Sequence, residues 1–452
     1  MISKITTIVL GVLLGSILFG QPNHDARMLG LNGSYTTLAR GYQCIGVNPA
    51  NLGTYNNRSV NLLNLSLGLS NNALSITNYN AINGAHLEDT LSFTYYPKSQ
   101  FYDMFGGEGI RLMQSLELPL PILNFSTRRF AFTSNFSSNF DMGLPDGFLD
   151  LLLFGNPFGS SISINMEQNS IVTQDIGLSY GHLFDQFSAG FTLKYILGLF
   201  YIGMESIDTP FITTADQITA QNQYIIKQAI GGSGTGLDIG FTTNKSKDGY
   251  RFGLSIINLL GTVKWTQDHF IRKKLENTLK NSAGDFYLRP NEFMYVNMVM
   301  DSVTGTSFSE TSGDPLIYYE MYKVMPLESI DTLPVSNLVV ELSDETYLYP
   351  SGGEYKLTAL IGDGDTTFTV AENYESYSTG DKNPFKTRQP MYLRLGLSRR
   401  WEDQAILAAD LVTGFSNNYG SSTSWRGSIA VEIIRFKGQF LRLGYAIGGI
   451  TN

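Results

Sequence analysis

In residues 187–199, Phe187, Ala189, Phe191, Leu193, Tyr195, Leu197 and Leu199 share one parity. Ser188, Gly190, Thr192, Lys194 and Gly198 share the other, with Ile196 the one exception. Side chains along a strand point alternately to opposite faces, so this segment reads as a strand with one apolar and one polar face. The pattern recurs: Leu63, Leu65, Leu67 and Leu69 oppose Asn64, Ser66, Gly68 and Ser70. Trp425, Gly427, Ile429, Val431 and Ile433 oppose Arg426, Ser428, Ala430 and Glu432. Leu441, Leu443, Tyr445 and Ile447 oppose Arg442, Gly444 and Ala446.

The polar parity carries charges of both signs: Lys194, Asp238, Arg251, Arg394, Asp410, Arg426, Glu432 and Arg442. The opposite parity is too continuously apolar to face water. If it meets lipid, the charges line an interior. The expected fold is therefore all-β: a transmembrane up-and-down antiparallel β-barrel. Its lumen-lining charges either pair between neighbouring strands or act directly in conduction. Composition agrees, with 16% charged and 12% aromatic residues against the roughly 25% charge of soluble domains.

The connections give a second test. They run long at 141–170, short at 183–186, long at 201–232, short at 244–249, long at 260–389, and short at 401–402. Ten residues follow at 414–423, then a short turn at 436–438. Outer-membrane barrels have short periplasmic turns and longer external loops. The alternation predicts strands near 59–70, 73–80, 89–97, 117–126, 129–140, 171–182, 187–200, 233–243, 250–259, 390–400, 403–413, 424–435 and 438–448. Single-chain bacterial barrels have even strand numbers, so either one of the thirteen expected strands is wrong or, the favoured reading, a fourteenth, closing strand is missing from the sequence.

The chain divides accordingly. Residues 1–20 have one Lys, an apolar stretch from Ile5 to Phe19 and a small residue at Gly20, the layout of a signal peptide cleaved at Gly20–Gln21. Residues 21–56 precede the strands, 57–259 and 390–452 carry them, and 260–389 is a large external insertion. Residues 301–385 hold 15 Asp/Glu and 3 Lys/Arg, a net of −12 against −9 for the whole chain, so the remainder is +3. That acidity is either a solvated surface or a divalent-cation bridge to surface glycolipid through Asp363-Gly364-Asp365. Val339–Leu348 and Tyr355–Val370 are expected as extramembrane hairpins. Short helices are expected at 145–154, near the barrel mouth, and around 267–280.

Recognisable enzyme chemistry is missing. The four histidines, His24, His86, His182 and His269, are not in metal-ligand spacing with one another or with Cys44. His182 shares parity with Val172, Ile176, Leu178 and Tyr180, which places it on the lipid side. Gly231-Gly232-Ser233-Gly234-Thr235-Gly236 lacks the Lys-Ser/Thr ending of a phosphate loop and marks the start of a strand instead. The single Cys44 reads as a small buried hydrophobe. No cofactor, metal or nucleic-acid partner is expected, and the chain is not expected to be an enzyme.

Asp25-Ala26-Arg27-Met28-Leu29-Gly30, Gly33-Ser34-Tyr35-Thr36 and Val47-Asn48-Pro49-Ala50-Asn51-Leu52-Gly53 resemble the N-terminus of the FadL-type outer-membrane transport superfamily. That group includes long-chain fatty acid transporters and the PorV-like barrels of the type IX secretion system. Phe130-Ala131-Phe132, Gly155-Asn156-Pro157 and Gly190–Leu199 resemble a PorV/FadL-like branch. The likeness spans most of 25–259 and 390–447, and 260–389 has no counterpart. It implies a fourteen-stranded barrel in the bacterial outer membrane whose N-terminal segment is a hatch inside the pore. Carried over, Asn48, Pro49 and Ala50 become hatch residues that shift to pass a hydrophobic ligand. Gly46 and Gly53 supply the tight bends. The implied partners are outer-membrane lipid and a small, fatty-acid-like hydrophobic molecule. The alternative is a PorV-like barrel that binds or anchors a secreted protein through its external loops.

Overall fold

The computed structural model describes residues 25–55, 58–72, 76–105, 109–208, 210–213, 217–266, 268–283, 288, 293–304, 317–326, 337–341, 356–361, 364–369, 385–419, 421–436 and 439–449. The expected signal peptide lies outside them.

Eleven strands form an antiparallel meander in chain order: β1 (Ser66–Asn71), β2 (Ile110–Pro119), β3 (Phe130–Leu144), β4 (Glu167–Leu183), β5 (Phe187–Asp208), β6 (Gln217–Thr243), β7 (Tyr250–Ile257), β8 (Tyr392–Trp401), β9 (Ala405–Gly414), β10 (Arg426–Ile433) and β11 (Leu441–Gly448). Short strands Ser59–Val60 and Phe125–Thr127 extend the sheet beside β3. No helix among the described residues is long and apolar enough to cross a membrane.

The parity holds in three dimensions. Leu193 on β5, Ile429 on β10, Leu443 on β11 and Leu67 on β1 are each more than half exposed, whereas Thr192, Ile196, Ser428 and Glu432 on the opposite faces are buried. Ile196, the exception to the alternation, points inward into an apolar cluster with Trp265 and Tyr201. His182 lies on the outer face, as expected, in a run of ring contacts from Phe130 through Tyr180, His182, Phe184 and Phe187 to Phe241. Aromatic rings at the end of an apolar band mark the membrane–water boundary of an outer-membrane barrel.

The sheet is rolled around residues 25–55. This segment touches inward residues of β3 to β11 and also Ser59 and Ser126. A flat sheet could not present nine consecutive strands to one 31-residue segment. Cys44 is fully buried in this plug, and burial pushes its thiol pKa up, as an inert packing residue requires.

Several expectations are corrected. Residues 76–80 of the expected strand 73–80 belong to a helix, Ile76–Ile82, and 89–97 is made of turns with a single bridge pairing His86 to Tyr95. The short apolar and polar alternation there was too brief to distinguish the two periods. The expected loop 201–232 is mostly strand, because β5 runs 22 residues and β6 runs 27. At about 3.3 Å per residue β6 is roughly 90 Å long, whereas about 9–11 residues span a bilayer. Both strands therefore project well beyond it, and β6 pairs there with Phe293–Thr304 of the insertion. Gly231–Gly236 does not start a strand. It lies within β6, where Gly231 has a positive φ of 77° and the partner strand Thr262–Trp265 packs too close for side chains at Gly232 and Gly234.

Residues 260–389 are not wholly external either. Thr262–Trp265 pairs with β6 and with Phe385–Arg388, which continues the wall between β7 and β8. The expected helices are present at Asp146–Phe154 and Phe270–Ala283. Lys356–Ile361 and Gly364–Thr369 form a hairpin within the expected 355–370. Residues 342–348 of the other expected hairpin and Asp363 lie outside the described residues.

The exposed band is a lipid-facing surface, so Leu193→Arg is expected to destabilise the folded protein in vesicles by about 2–4 kcal/mol, read from urea unfolding. A change within experimental error would mean that this face meets water.

Candidate functional site

The plug has two halves held in different ways. The first half, Asp25–Thr37, is fixed by charge. Asp25 caps helix Ala26–Gly30 by accepting the Arg27 and Met28 N–H groups. The Arg27 guanidinium donates to both carboxylate oxygens of Glu432, at 3.1 and 2.6 Å, and Arg442 donates to the same carboxylate at 2.7 Å. Asp410 Oδ2 accepts the Tyr35 and Thr36 N–H groups at 2.9 and 2.8 Å and the Thr36 hydroxyl at 2.6 Å. Arg394, 3.6 Å from that carboxylate, donates to Thr36 Oγ1 and the Gly33 carbonyl. Arg426 donates to the carbonyl and side-chain oxygen of Asn32.

Neutral groups hold the second half, Ile45–Gly53. Asn48 donates from Nδ2 to the Phe241 carbonyl of β6 at 3.1 Å, and its Oδ1 accepts the Ala50 N–H, closing the turn over Pro49. Ser188 Oγ donates to the Ala50 carbonyl at 2.6 Å, and Ser255 Oγ donates to the Val47 carbonyl at 2.5 Å. Gly46 takes a positive φ of 76°. Beyond this half, Tyr55 sits between two guanidiniums, Arg40 at 4.6 Å and Arg251 at 4.8 Å, and Arg251 also donates to its hydroxyl.

What brings the Asn-Pro-Ala turn against the wall is a row of inward glycines. Gly181, Gly190 and Gly240 are cross-strand partners on β4, β5 and β6. A methyl group at Gly190 would come within 2.5 Å of the Pro49 carbonyl carbon, and one at Gly181 within 2.5 Å of the Gly53 nitrogen. At Gly240 it would collide with Asn48 Oδ1, and at Gly53 with Ser188 Oγ. Gly253 and Gly396, also partners, do the same for Thr37 and Thr36. Sequence reasoning missed this row, although each glycine lies at inward parity.

All eight expected lumen charges face inward, and six of them meet the plug or its immediate anchors. Lys194 and Asp238 instead pair with each other at 2.8 Å, and both hydrogen-bond Asn258. The charges are thus mostly spent on holding the plug and the wall together.

Above the second half lies a chamber of about 120 Å³, floored by Ile45 and Gly46. Its wall includes Asn135 of β3, Thr173 and Asp175 of β4, Gln389 before β8 and Tyr392 at the start of β8. Gln389 Nε2 donates to both oxygens of Asp175, at 3.0 and 3.1 Å. Over the chamber is an apolar cluster of Ile171, Ile196, Tyr201, Trp265, Phe385 and Tyr419. Trp265 lies on Gly198 and Gly232 and donates to Thr387 at 2.9 Å. The chamber thus lies between the plug and this apolar cluster.

This is a plugged, antiparallel β-barrel.

An N-terminal segment held inside the rolled sheet is the arrangement that the resemblance of that segment led one to expect. Among family models, "Family of unknown function (DUF5723)" matches residues 49–230, from Pro49 of the plug into β6. No curated protein sequence matches the chain. Solved structures similar to it include the CymD monoaromatic hydrocarbon channel, at 11% identity and a TM-score of 0.35, covering 93% of this chain and 91% of that one. A Pseudomonas aeruginosa FadL homologue is similar at 12% identity and a TM-score of 0.32, covering 95% and 90%. The Pseudomonas putida toluene transporter TodX is similar at 7% identity and a TM-score of 0.21, covering 76% and 83%. At these scores the likeness carries no conclusion about what this chain binds.

Removing one partner of a buried, multiply bonded carboxylate costs about 3–5 kcal/mol. Glu432→Ala leaves Arg27 and Arg442 without their shared acceptor. It is expected to lower stability by about that amount and to expose the Arg27–Arg40 segment to trypsin, with the wild type expected to remain uncut there. Gly190→Val is expected to displace the Asn-Pro-Ala turn, read as new accessibility of Cys44 to a thiol reagent.

Proposed function

We propose that the protein passes or binds small hydrophobic molecules at the bacterial outer membrane, and that the segment Gly46–Ala50 is the hatch that moves. One observation carries this reading: the plug is anchored by charge at 27–36 and by neutral hydrogen bonds at 46–50, directly beneath the chamber. Three neutral bonds, each worth about 0.5–1.5 kcal/mol net, release at a total cost of roughly 2–5 kcal/mol, within reach of ligand binding energy. The charged anchors cost that much each. Gly46, Asn48, Pro49 and Ala50 are then the moving residues and Gly53 a close-packed pivot. The eight wall charges hold the frame and do not conduct.

The hydrophobic character of the ligand is supported at the outer end of the barrel. Helix Asp146–Phe154 leaves Leu152 and Phe154 exposed, with Phe158 beside them, and Tyr102 packs edge-on against Phe154. This apolar cluster lies on the side of the long hairpins, where a ligand from outside arrives first.

A second reading has its own observation. β6, Phe293–Thr304, Ile317–Pro326, Asn337–Glu341, Lys356–Ile361 and Gly364–Thr369 pair in succession into a sheet that continues past the barrel wall. Such a platform suits capture of a secreted protein.

The two readings separate in one experiment on cells taking up a labelled C12 fatty acid. Asn48→Ala combined with Ser188→Ala is expected to raise uptake several-fold, and deletion of 290–380, which spares Trp265 and Phe385, to leave it unchanged. Unchanged uptake in the double variant, together with loss of a bound secreted protein in the deletion, would replace the transport reading with the scaffold reading.

A further inference from the structure

We propose that the chamber above the plug binds the protonated amine of a compact amphipathic molecule, with Asp175 as its counter-ion. The inference rests on the transport reading for its biological purpose but not for its chemistry, which follows from the chamber wall.

The chamber has a surplus of acceptors. Asp175 faces it and, among the described residues, takes part in no ion pair; a neutral amide, Gln389, holds it instead. Gln389 Oε1 and Asn135 Oδ1, both on residues lining the chamber, are buried without a hydrogen-bond partner. Gln389 itself is only 7% exposed. Burying an acceptor without a donor costs about 1–3 kcal/mol, so the two orphan oxygens and the carboxylate together describe a missing donor group. The cations on the same wall cannot supply it. Lys194 lies within electrostatic reach of Asp175, but its ammonium is bonded to Asp238 and Asn258, and Arg394 is bonded to Asp410 and the plug.

An ammonium group brings three donors and the opposite charge, which suits Asp175 and the two amide oxygens, with Glu117 a second carboxylate on the same wall. A carboxylate head would add a further anion beside Asp175 and Glu117. The remaining wall is apolar enough for a short hydrocarbon body: Ile171, Ile257, Pro390, Tyr392 and Tyr419 line the same space. Volume sets a further limit. Ligand pockets usually enclose about 300–1,000 Å³, and this chamber encloses about 120 Å³. With the hatch closed it admits the head and the first carbons of a chain; a longer body requires the floor at Ile45–Gly46 to give way. Head-group capture and hatch release are thereby coupled through one cavity.

The test measures binding of dodecylamine and dodecanoate to the purified protein in lipid nanodiscs at neutral pH, so it does not depend on transport. The amine is expected to bind at least tenfold more tightly than the acid. Asp175→Asn is expected to abolish that preference while leaving the unfolding transition in place. As a second variant, Asn135→Leu is expected to weaken amine binding and leave binding of the acid unchanged. Equal binding of amine and acid, or an amine preference that survives Asp175→Asn, overturns the proposal. Amine binding in a protein whose hatch variants do not alter uptake would sustain this proposal and reject the transport reading.

Discussion

The structure depends on two buried carboxylates, Asp410 on β9 and Glu432 on β10. Each receives several donors from the N-terminal segment or its anchors. A charge taken out of water is tolerable only when its oxygens are filled by hydrogen bonds and an opposite charge. Here the plug supplies those donors, so the lumen of β8–β11 is complete only when Arg27, Tyr35 and Thr36 are in place. The interior charges that the strand pattern demands therefore draw the plug into the barrel.

Against that fixed side, β4 to β6 offer the opposite kind of surface. The glycine row lets backbone approach backbone, and the bonds there join a side-chain hydroxyl or amide to a carbonyl. The difference between the halves is one of electrostatic cost rather than of packing, since both contribute to one apolar core with Met28, Tyr35, Val47 and Leu52. Under the proposed hatch movement, this asymmetry lets the barrel open without losing its plug. The chamber sits over the half that is cheaper to displace.

Much of this was legible in the sequence because strand parity is a strict period-two rule. The inward position of all eight charges, the outward position of His182 and the packed Cys44 follow from it or from composition. A segment inside the wall was what the resemblance carried by the Asn-Pro-Ala segment implied. The chamber was not legible. Asp175 lies at inward parity, but Gln174 beside it breaks the alternation on the other face. Gln389 and Tyr419 reach the lumen only through irregular backbone: a break in the wall at Asn258–Gly261 and a loop in which Tyr419 has a positive φ of 49°. Likewise, the length of β5 and β6 was hidden because β strands outside the bilayer need no apolar face. The helix at Ile76–Ile82 was hidden because its run is too short to show a 3.6-residue period.

The central claim is that one plug has a fixed half and a releasable half. Amide hydrogen exchange of the protein in nanodiscs, resolved across residues 25–55, tests it most directly. Slow exchange at Tyr35 and Thr36, with exchange at least tenfold faster across Val47–Gly53, is the expected result. Uniform protection across the two halves, rising and falling together, would contradict it.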